Sequence, residues 1–320
     1  MTRGFNAELL LGISDDLRVD PYKACFDEIY TKSCPREYYR VLYGLDYIIP
    51  DLAHGIFANV VGALERQRGR PLKILDVGCS YGNNAVLLRM PSDFHRLAQR
   101  YADLSGHRLS TAELVDLDRQ YFRSWPRHPM TIVGLDASVP AVSYASDVGV
   151  IDHGLALDLE NGELTETARE ALRDVDLIIS TGCIGYVTER TFAKVLGAIE
   201  GPPPWIASFV LRMYSFTSIA DELTRRGLTT ERLDSVTFVQ RRFHSKEEFV
   251  EVLSALEARG IATDGKESDG LLQAEFFLSR PEADISKLPL SDVATVTTGA
   301  RHSSGCRYHR NPDNVVRLWR

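Results

Sequence analysis

Residues 72–82 read Leu72-Lys73-Ile74-Leu75-Asp76-Val77-Gly78-Cys79-Ser80-Tyr81-Gly82. Leu72 to Val77 has the composition of a short buried strand. It runs into a glycine loop, and a helix is expected at once from about Asn83 to Leu88. Glycines in such a loop let the backbone turn tightly and approach a ligand closely. A dinucleotide fingerprint of the form G-x-G-x-x-G needs glycine at positions 80 and 83, which hold Ser80 and Asn83. Asp76, just ahead of the first glycine, repels a pyrophosphate and suits a cationic group such as an ammonium.

Downstream, strand and helix patterns alternate. Thr131 to Asp136 is a strand, Ser138 to Ala145 a helix, Gly154 to Asp158 a strand and Thr165 to Leu172 a helix. Val175 to Ser180 and Trp205 to Leu211 read as buried strands on either side of a helix from Glu189 to Ile199. Ser245-Lys246-Glu247-Glu248 is a capping box, followed by Phe249, Val252, Leu253 and Leu256 at helical spacing and closed by Gly260. A last strand, Leu271 to Leu278, precedes Pro281. Alternation of this kind implies an α/β fold: a doubly wound, mostly parallel sheet covered on both faces. Ligands bind such sheets outside the C-terminal ends of the strands.

Upstream, Leu52, Ile56, Phe57, Val60, Val61 and Leu64 share one face of a helix that Gly69 closes. With the tyrosine-rich stretch from Tyr22 to Tyr47, this defines residues 1–69 as a helical N-terminal cap. The sheet domain spans 70–280. A strand-to-strand crossover needs about thirty residues in all, so 90–129, with its own helical patterns, reads as an insertion. Residues 214–243 read as a second insertion, with a helix near Ile219 to Arg226. Residues 281–320, rich in Ser, Thr and Gly, read as a loosely held tail.

Composition narrows the function classes. A formal charge of −7 disfavours a nucleic-acid partner, which requires a strongly basic surface. The locally basic stretch from Arg301 to Arg320 is read as solvated. No apolar run approaches the roughly 18 residues of a membrane span, and the N-terminus lacks the pattern of a secretory signal. A cytoplasmic protein with free thiols at Cys25, Cys34, Cys79, Cys183 and Cys306 is expected. His302, Cys306 and His309 are too sparse a set for a metal centre, so no metal is expected.

Three acids stand at matching strand ends: Asp76, Asp136 and Asp158. Each alone is more often a strand-end or cap residue; the three form a set. With ILDVGCSYG (74–82), IVGLDAS (132–138), ALDLENGEL (156–164), DLIISTGCIGYV (176–187) and the SKEEF helix, the chain resembles the class I, Rossmann-like S-adenosylmethionine (SAM)-dependent methyltransferases from Leu72 to about Arg280. The resemblance implies a seven-stranded Rossmann-like methyltransferase fold with SAM as cofactor and S-adenosylhomocysteine (SAH) as product. It implies that Asp76, Gly78 and Gly82 hold the methionine part, Asp136 the ribose and Asp158 the adenine edge. Cys79, Ser80, Ala137, Leu159, Thr181 and Gly182 fall beside them. Ser80 departs from the usual middle glycine of the loop.

The family has no universal base, so the acceptor side rests on weaker signals. Tyr186, after the fourth strand, sits at the mouth where the methyl group should point, and Cys183 reads as a lining thiol. Arg212 and Tyr214 follow the fifth strand, placed to hold an acidic or phenolic acceptor. His244 precedes the SKEEF helix as a candidate base. Additions around such a sheet tend to roof the cofactor, and Tyr22, Tyr38, Tyr39 and Tyr43 are suitable pocket walls. An enclosed site suits O- or N-methylation of a small metabolite; the rival is a SAM-binding protein that does not methylate. A homodimer is left open.

Overall fold

The protein is described here from a computed structural model, over residues 26–107, 109–234, 236–296 and 307–319. Tyr22, Cys25, His302 and Cys306 lie outside these residues. β1 (Lys73–Val77) pairs in parallel with β2 (Thr131–Asp136) on one side and β4 (Leu177–Thr181) on the other. β2 pairs with β3 (His153–Ala156), and β4 with β5 (Trp205–Leu211), again in parallel. Strands buried on both faces become near-continuous apolar runs, and β5, WIASFVL, is buried at every residue.

Beyond β5 the direction reverses. β8 (Leu271–Arg280) runs antiparallel to β5 and also to β7 (Thr237–Arg242). The order β3-β2-β1-β4-β5-β8-β7 is the expected Rossmann-like sheet with one reversed strand. Three further strands bring the sheet to ten where seven were expected. β6 (Thr229–Arg232) pairs with β8, β10 (Val315–Trp319) adds in parallel to β7, and β9 (Arg307–Arg310) folds back on β10.

Two sequence expectations change here. The stretch 214–243 is not an insertion, because it ends in β7, a sheet strand buried from Thr237 to Arg241. Its polar run Gln240-Arg241-Arg242 masked the strand pattern. The described part of 281–320 is not a loose tail: Val315 and Val316 are buried where β10 covers the edge of β7. α12 (Glu282–Lys287) and α13 (Leu290–Val293) lead toward it.

The cap divides into two functions. α3 (Ile49–Arg68) carries Ile49, Leu52, Ile56, Phe57, Val60 and Leu64 into the core, and Gly69, at φ +67°, ends it in the left-handed conformation. It is therefore a layer of the sheet domain, packed on β4, β5 and β7. α1 (Phe26–Tyr30) and α2 (Arg36–Gly44) instead stand over the C-terminal ends of the strands. The loop after α2 ties them to β7: Ile48 N donates to Gln240 O at 2.9 Å and Arg242 N to Leu45 O at 2.8 Å, while the Arg242 side chain donates to Gly44 O and pairs with Asp46.

α4 (Asn83–Arg89) follows the glycine loop, and the segment after it supplies α5 (Phe94–Asp103) and α6 (Thr111–Arg123). This segment braces the cap. Tyr101 stacks on Tyr39 at 4.5 Å between ring centroids, and its hydroxyl lies 2.7 Å from that of Tyr144 on α7 (Val139–Asp147). Both hydroxyls meet the fully buried carboxylate of Asp118, which Arg100 pairs at 2.7 Å. Such a buried polar cluster is tolerable because each member has a partner. α8 (Glu166–Leu172), α9 (Glu189–Ala198) and α10 (Thr217–Arg225) cover the other face of the sheet. No single described helix is long and apolar enough to cross a membrane.

Candidate active site

A cleft of about 860 Å³ opens at the C-terminal ends of β1, β2, β4 and β7. Gly78, Cys79, Ser80, Asp136, Ala137, Asp158, Leu159, Thr181 and Gly182 all line it. It is the place where a doubly wound sheet reverses its strand order, since β2 and β4 leave β1 in opposite directions.

The loop is held in shape by backbone constraints. Gly78 has φ +73°, and a Cβ there would lie 2.6 Å from Cys183 Cβ, so only glycine fits. Ser80 stands at φ +47°, a left-handed conformation uncommon for a residue with a side chain. Its N–H donates to Asp136 Oδ2 at 2.9 Å, while Ser138 N–H donates to Asp136 Oδ1 at the same distance. A carboxylate accepts about four hydrogen bonds, so Asp136 retains capacity for a ligand. Ser80 Oγ, buried in the lining, has no partner.

Two of the expected cofactor residues stand behind the cleft wall. Asp76 is fully buried; its Oδ1 accepts from Asn84 Nδ2 at 2.9 Å, and its Oδ2 has no partner. Burial pushes its carboxyl up to about 7 against the Asn84 hydrogen bond, with Asp136 adding to the rise. Gly82 also lies off the cleft: a Cβ there would meet Val150 Cγ2 at 2.6 Å, so this glycine serves the packing of the loop against the residues after α7. Asp158 lies exposed at the rim, two residues past β3. The side-chain amide of Asn161 and the backbone N–H groups of Glu160 and Asn161 bond it and hold its carboxyl below the usual range.

The cap is bolted to this loop. The single proton of the Tyr81 hydroxyl is shared between Ile29 O at 2.9 Å and Lys32 O at 2.8 Å. Asn83 accepts from Tyr39 Oη and donates to Tyr38 Oη, each at 2.6 Å. Ser138 Oγ donates to Tyr30 O. Of the expected tyrosine walls, Tyr38 lines the cleft, joined by Tyr30 and Tyr47, while Tyr39 packs behind and half-exposed Tyr43 does not line it. Burial raises the hydroxyls of Tyr38, Tyr39 and Tyr47 well above their ordinary value, so they stay protonated.

The acceptor candidates separate. Tyr186 stands at the mouth, 73% exposed, and lines the cleft. Tyr214 lies across Gly185, whose missing Cβ would fall 2.5 Å from the ring. Cys183 donates to Val77 O at 3.3 Å, and burial pushes its thiol up to about 12, which leaves it an inert lining group. Arg212 is a correction. It does not line the cleft; its guanidinium donates to Glu267 at 2.5 Å and to Ala262 O at 2.8 Å, and both side chains are buried. Its charge is spent inside the fold.

His244 lines the cleft with Nδ1 2.7 Å from Glu248 Oε2. Glu248 also accepts from Arg241 Nη1 and Nη2 at 2.9 and 2.6 Å, and from His244 N at 2.9 Å. Burial alone would raise this carboxyl, yet the bonds from His244 and Arg241 hold it down at about 2. The expected capping box at Ser245 is thus half-formed: Ser245 Oγ caps Glu248 N at 3.1 Å, but the Glu248 side chain serves His244 and Arg241 instead. The helix it begins is α11 (Lys246–Ala258).

Sequence reading missed Gln240, Glu160 and the acids of α11, which also line the cleft. Gln240 was hidden inside the strand that was not recognised. Glu160 is bonded by Thr188 N, Thr188 Oγ1 and Thr191 Oγ1 at 2.8, 2.7 and 2.6 Å, and so ties the rim after β3 to the start of α9.

No family model matches the sequence, and no curated protein matches it. Among solved structures, the chain is similar to the plantazolicin methyltransferase BpumL in complex with SAH, at 12% identity, covering 84% of this chain and 94% of that one with a TM-score of 0.39. It is also similar to a TehB-like SAM-dependent methyltransferase from Corynebacterium glutamicum ATCC 13032 Kitasato, at 16% identity, 68% and 86% coverage and a TM-score of 0.34. A third is a precorrin-6y C5,15-methyltransferase from Geobacter metallireducens GS-15, at 11% identity, 69% and 86% coverage and a TM-score of 0.35.

Proposed function

We propose that the protein is a SAM-dependent methyltransferase acting on an O or N atom of a small metabolite held between the glycine loop and the cap. One observation carries this reading. The bond from Ser80 N to Asp136 Oδ2 brings a bare glycine-loop backbone and a strand-end carboxylate onto the same wall of one cleft.

The residues present fit SAM. Ser80 Oγ is a buried polar atom without a partner in the lining, and Asp76 Oδ2 is another just behind it. Gly78, Ser80, Thr181 and Gly182 would hold the methionine end, Asp136 and Ala137 the ribose, and Asp158 and Leu159 the adenine edge. SAM supplies a methyl carbon made electrophilic by its sulfonium.

The chain's own residues supply position and proton transfer. Holding two reactants in line is worth about 7–11 kcal/mol of barrier when the geometry is good. His244 is the general base, with Glu248 fixing its ring through Nδ1 and Arg241 fixing Glu248. The buried tyrosines shape the pocket and exclude water without competing for the proton. The roof formed by α1 and α2 favours a small acceptor over a polymer.

The test is incubation of the protein with SAM and fractionated small-molecule extracts, following SAH release and the mass of the modified product. SAH release paired with a product one methyl group heavier is the expected result. A protein that binds SAM but releases no SAH with any fraction is a SAM-binding protein without this activity.

A further inference from the structure

The half of the cleft farthest from Asp136 and Asp158 has a chemistry of its own. β4, β5 and β8 separate β1 from β7 in the sheet, and β7 and α11 supply the opposite wall of the cleft. Glu247, Glu248 and Glu251 of α11 face this end, with Arg241 as the one lining Arg or Lys side chain among the described residues. That guanidinium is bound through two nitrogens to Glu248. No lining cation is thus left over for a carboxylate or phosphate, while Glu251 makes no ion pair among the described residues.

Gln240 supplies a second, independent sign. In β7, Val239 faces Gln273 and Arg241 faces Leu272, so Gln240 is the extra residue of a β-bulge. Neighbours in a regular strand point to opposite faces. The bulge lets Gln240 and Arg241 both line the cleft. Gln240 is only 7% exposed, and its Oε1 is buried with no hydrogen-bond partner. Its amide nitrogen lies 2.7 Å from where a Cβ on Gly182 would fall, so the carboxamide packs directly against Gly182, a residue assigned above to the methionine end. A buried acceptor atom without a donor costs about 1–3 kcal/mol, and a ligand N–H would relieve it.

We infer that the methyl acceptor is a basic nitrogen, bound as an ammonium by Gln240 Oε1 and the α11 carboxylates among the rings of Tyr30, Tyr38 and Tyr47. The inference rests on the methyl-transfer reading above. Tyrosine faces attract ammonium groups and not anions. The ammonium gives one proton to the imidazole of His244. The freed nitrogen pair then forms the N–CH3 bond as the S–CH3 bond breaks, and the electron pair of that bond stays on sulfur.

The experiment compares phenethylamine, phenethyl alcohol and phenylacetate as ligands of the full-length protein saturated with SAH, by calorimetry. SAH binding is measured first, so failure of the cofactor reading shows as no SAH binding and takes the inference with it. With SAH bound, phenethylamine should bind about tenfold more tightly than the other two. Glu251→Gln and Gln240→Leu should each remove most of that preference while SAH still binds. Glu257→Gln, on the same helix but away from the cleft, should leave it unchanged. Equal or tighter binding of the alcohol or carboxylate overturns the inference and leaves the cofactor reading standing. So does binding of none of the three at millimolar concentration, or a preference that survives both cleft variants.

Discussion

The wall of the cleft along β1, β2, β3 and β4 is made of main chain and short side chains: Gly78, Ser80, Ala137 and Gly182, with carboxylates at the ends of β2 and β3. The opposite wall, from α1, α2, β7 and α11, is made of long side chains: Tyr38, Tyr47, Gln240, Arg241, His244 and Glu248. The first wall has its shape dictated by φ angles that few residues can adopt. The second depends on hydrogen bonds between side chains, from the His244–Glu248–Arg241 set to the bond from Asn83 to Tyr38 across the chain. A backbone-built wall suits a ligand that never changes, whereas a side-chain-built wall can be respecified by substitution without disturbing the sheet. Arg212 belongs to neither, and the variants that separate these three regions test the comparison.

The largest effect is expected where no ligand is involved. Arg212→Ala removes one partner of a buried ion pair and should cost about 3–5 kcal/mol of stability, read by denaturant unfolding, with SAM affinity unchanged. Burial pushes Glu267 up to about 7 against the attraction of Arg212. A raised folded-state value gives stability that is present at low pH and fades as pH rises through about 7. The variant should therefore be hurt more at alkaline than at acidic pH. A loss of SAM affinity at undiminished stability would move Arg212 back into the site.

Gly78→Val should weaken SAM binding next most severely. It places a β-branched residue at φ +73° with its Cβ against Cys183, a strain of about 1–3 kcal/mol before the clash is counted. Gln240→Leu, on the other wall, should leave SAM affinity within a factor of about three, since each tenfold requires about 1.4 kcal/mol. If the two variants affect SAM equally, the cleft does not divide as described.

Asp136→Ala should cost about 1.5–3 kcal/mol in SAM binding, the usual worth of hydrogen bonds to a charged group. Asp158→Ala should cost less, because the exposed carboxylate is already satisfied by Glu160 N and Asn161. Titration calorimetry of both variants gives the ranking, and the reverse order would exchange their roles.

The smallest effect is a proton. With its carboxyl pushed up to about 7 by burial, Asp76 in the free protein is largely protonated below neutrality. Its contribution to stability is present at low pH and lost as pH rises through that value. A cationic ligand group nearby favours the ionised form, so SAM binding near pH 6 to 7 should release a proton and tighten with pH. Calorimetry in two buffers of different ionisation enthalpy measures this, and Asp76→Asn should abolish it.

The two walls were not equally legible in the sequence. The alternating apolar runs of β1, β2, β4 and β5 and the glycine loop announce themselves locally, because burial on both faces and a left-handed turn restrict residue choice at each position. β7 did not: Gln240, Arg241 and Arg242 break the apolar run for reasons that lie elsewhere, in Glu248, in Asp46 and in the bulge. Arg212 was misplaced for a related reason, since a basic residue at a strand end looks like a ligand group until Glu267, far along the chain, is seen beside it. Conversely, Ser245 and Glu248 formed a local pattern that tertiary contacts overrode. Local signals thus identified the wall built from backbone, and of the one built from side chains only Tyr38 and His244.

The central claim, that the β1 loop is built for SAM and not for a dinucleotide, is tested most directly by thermal unfolding with each ligand. A ligand that binds only the folded state stabilises it by RT ln(1 + [L]/Kd), about 2.7 kcal/mol at a hundredfold excess over Kd. SAM and SAH should each raise the unfolding temperature in a concentration-dependent way, and NAD should leave it where it is. A rise with NAD and none with SAM or SAH would contradict the account.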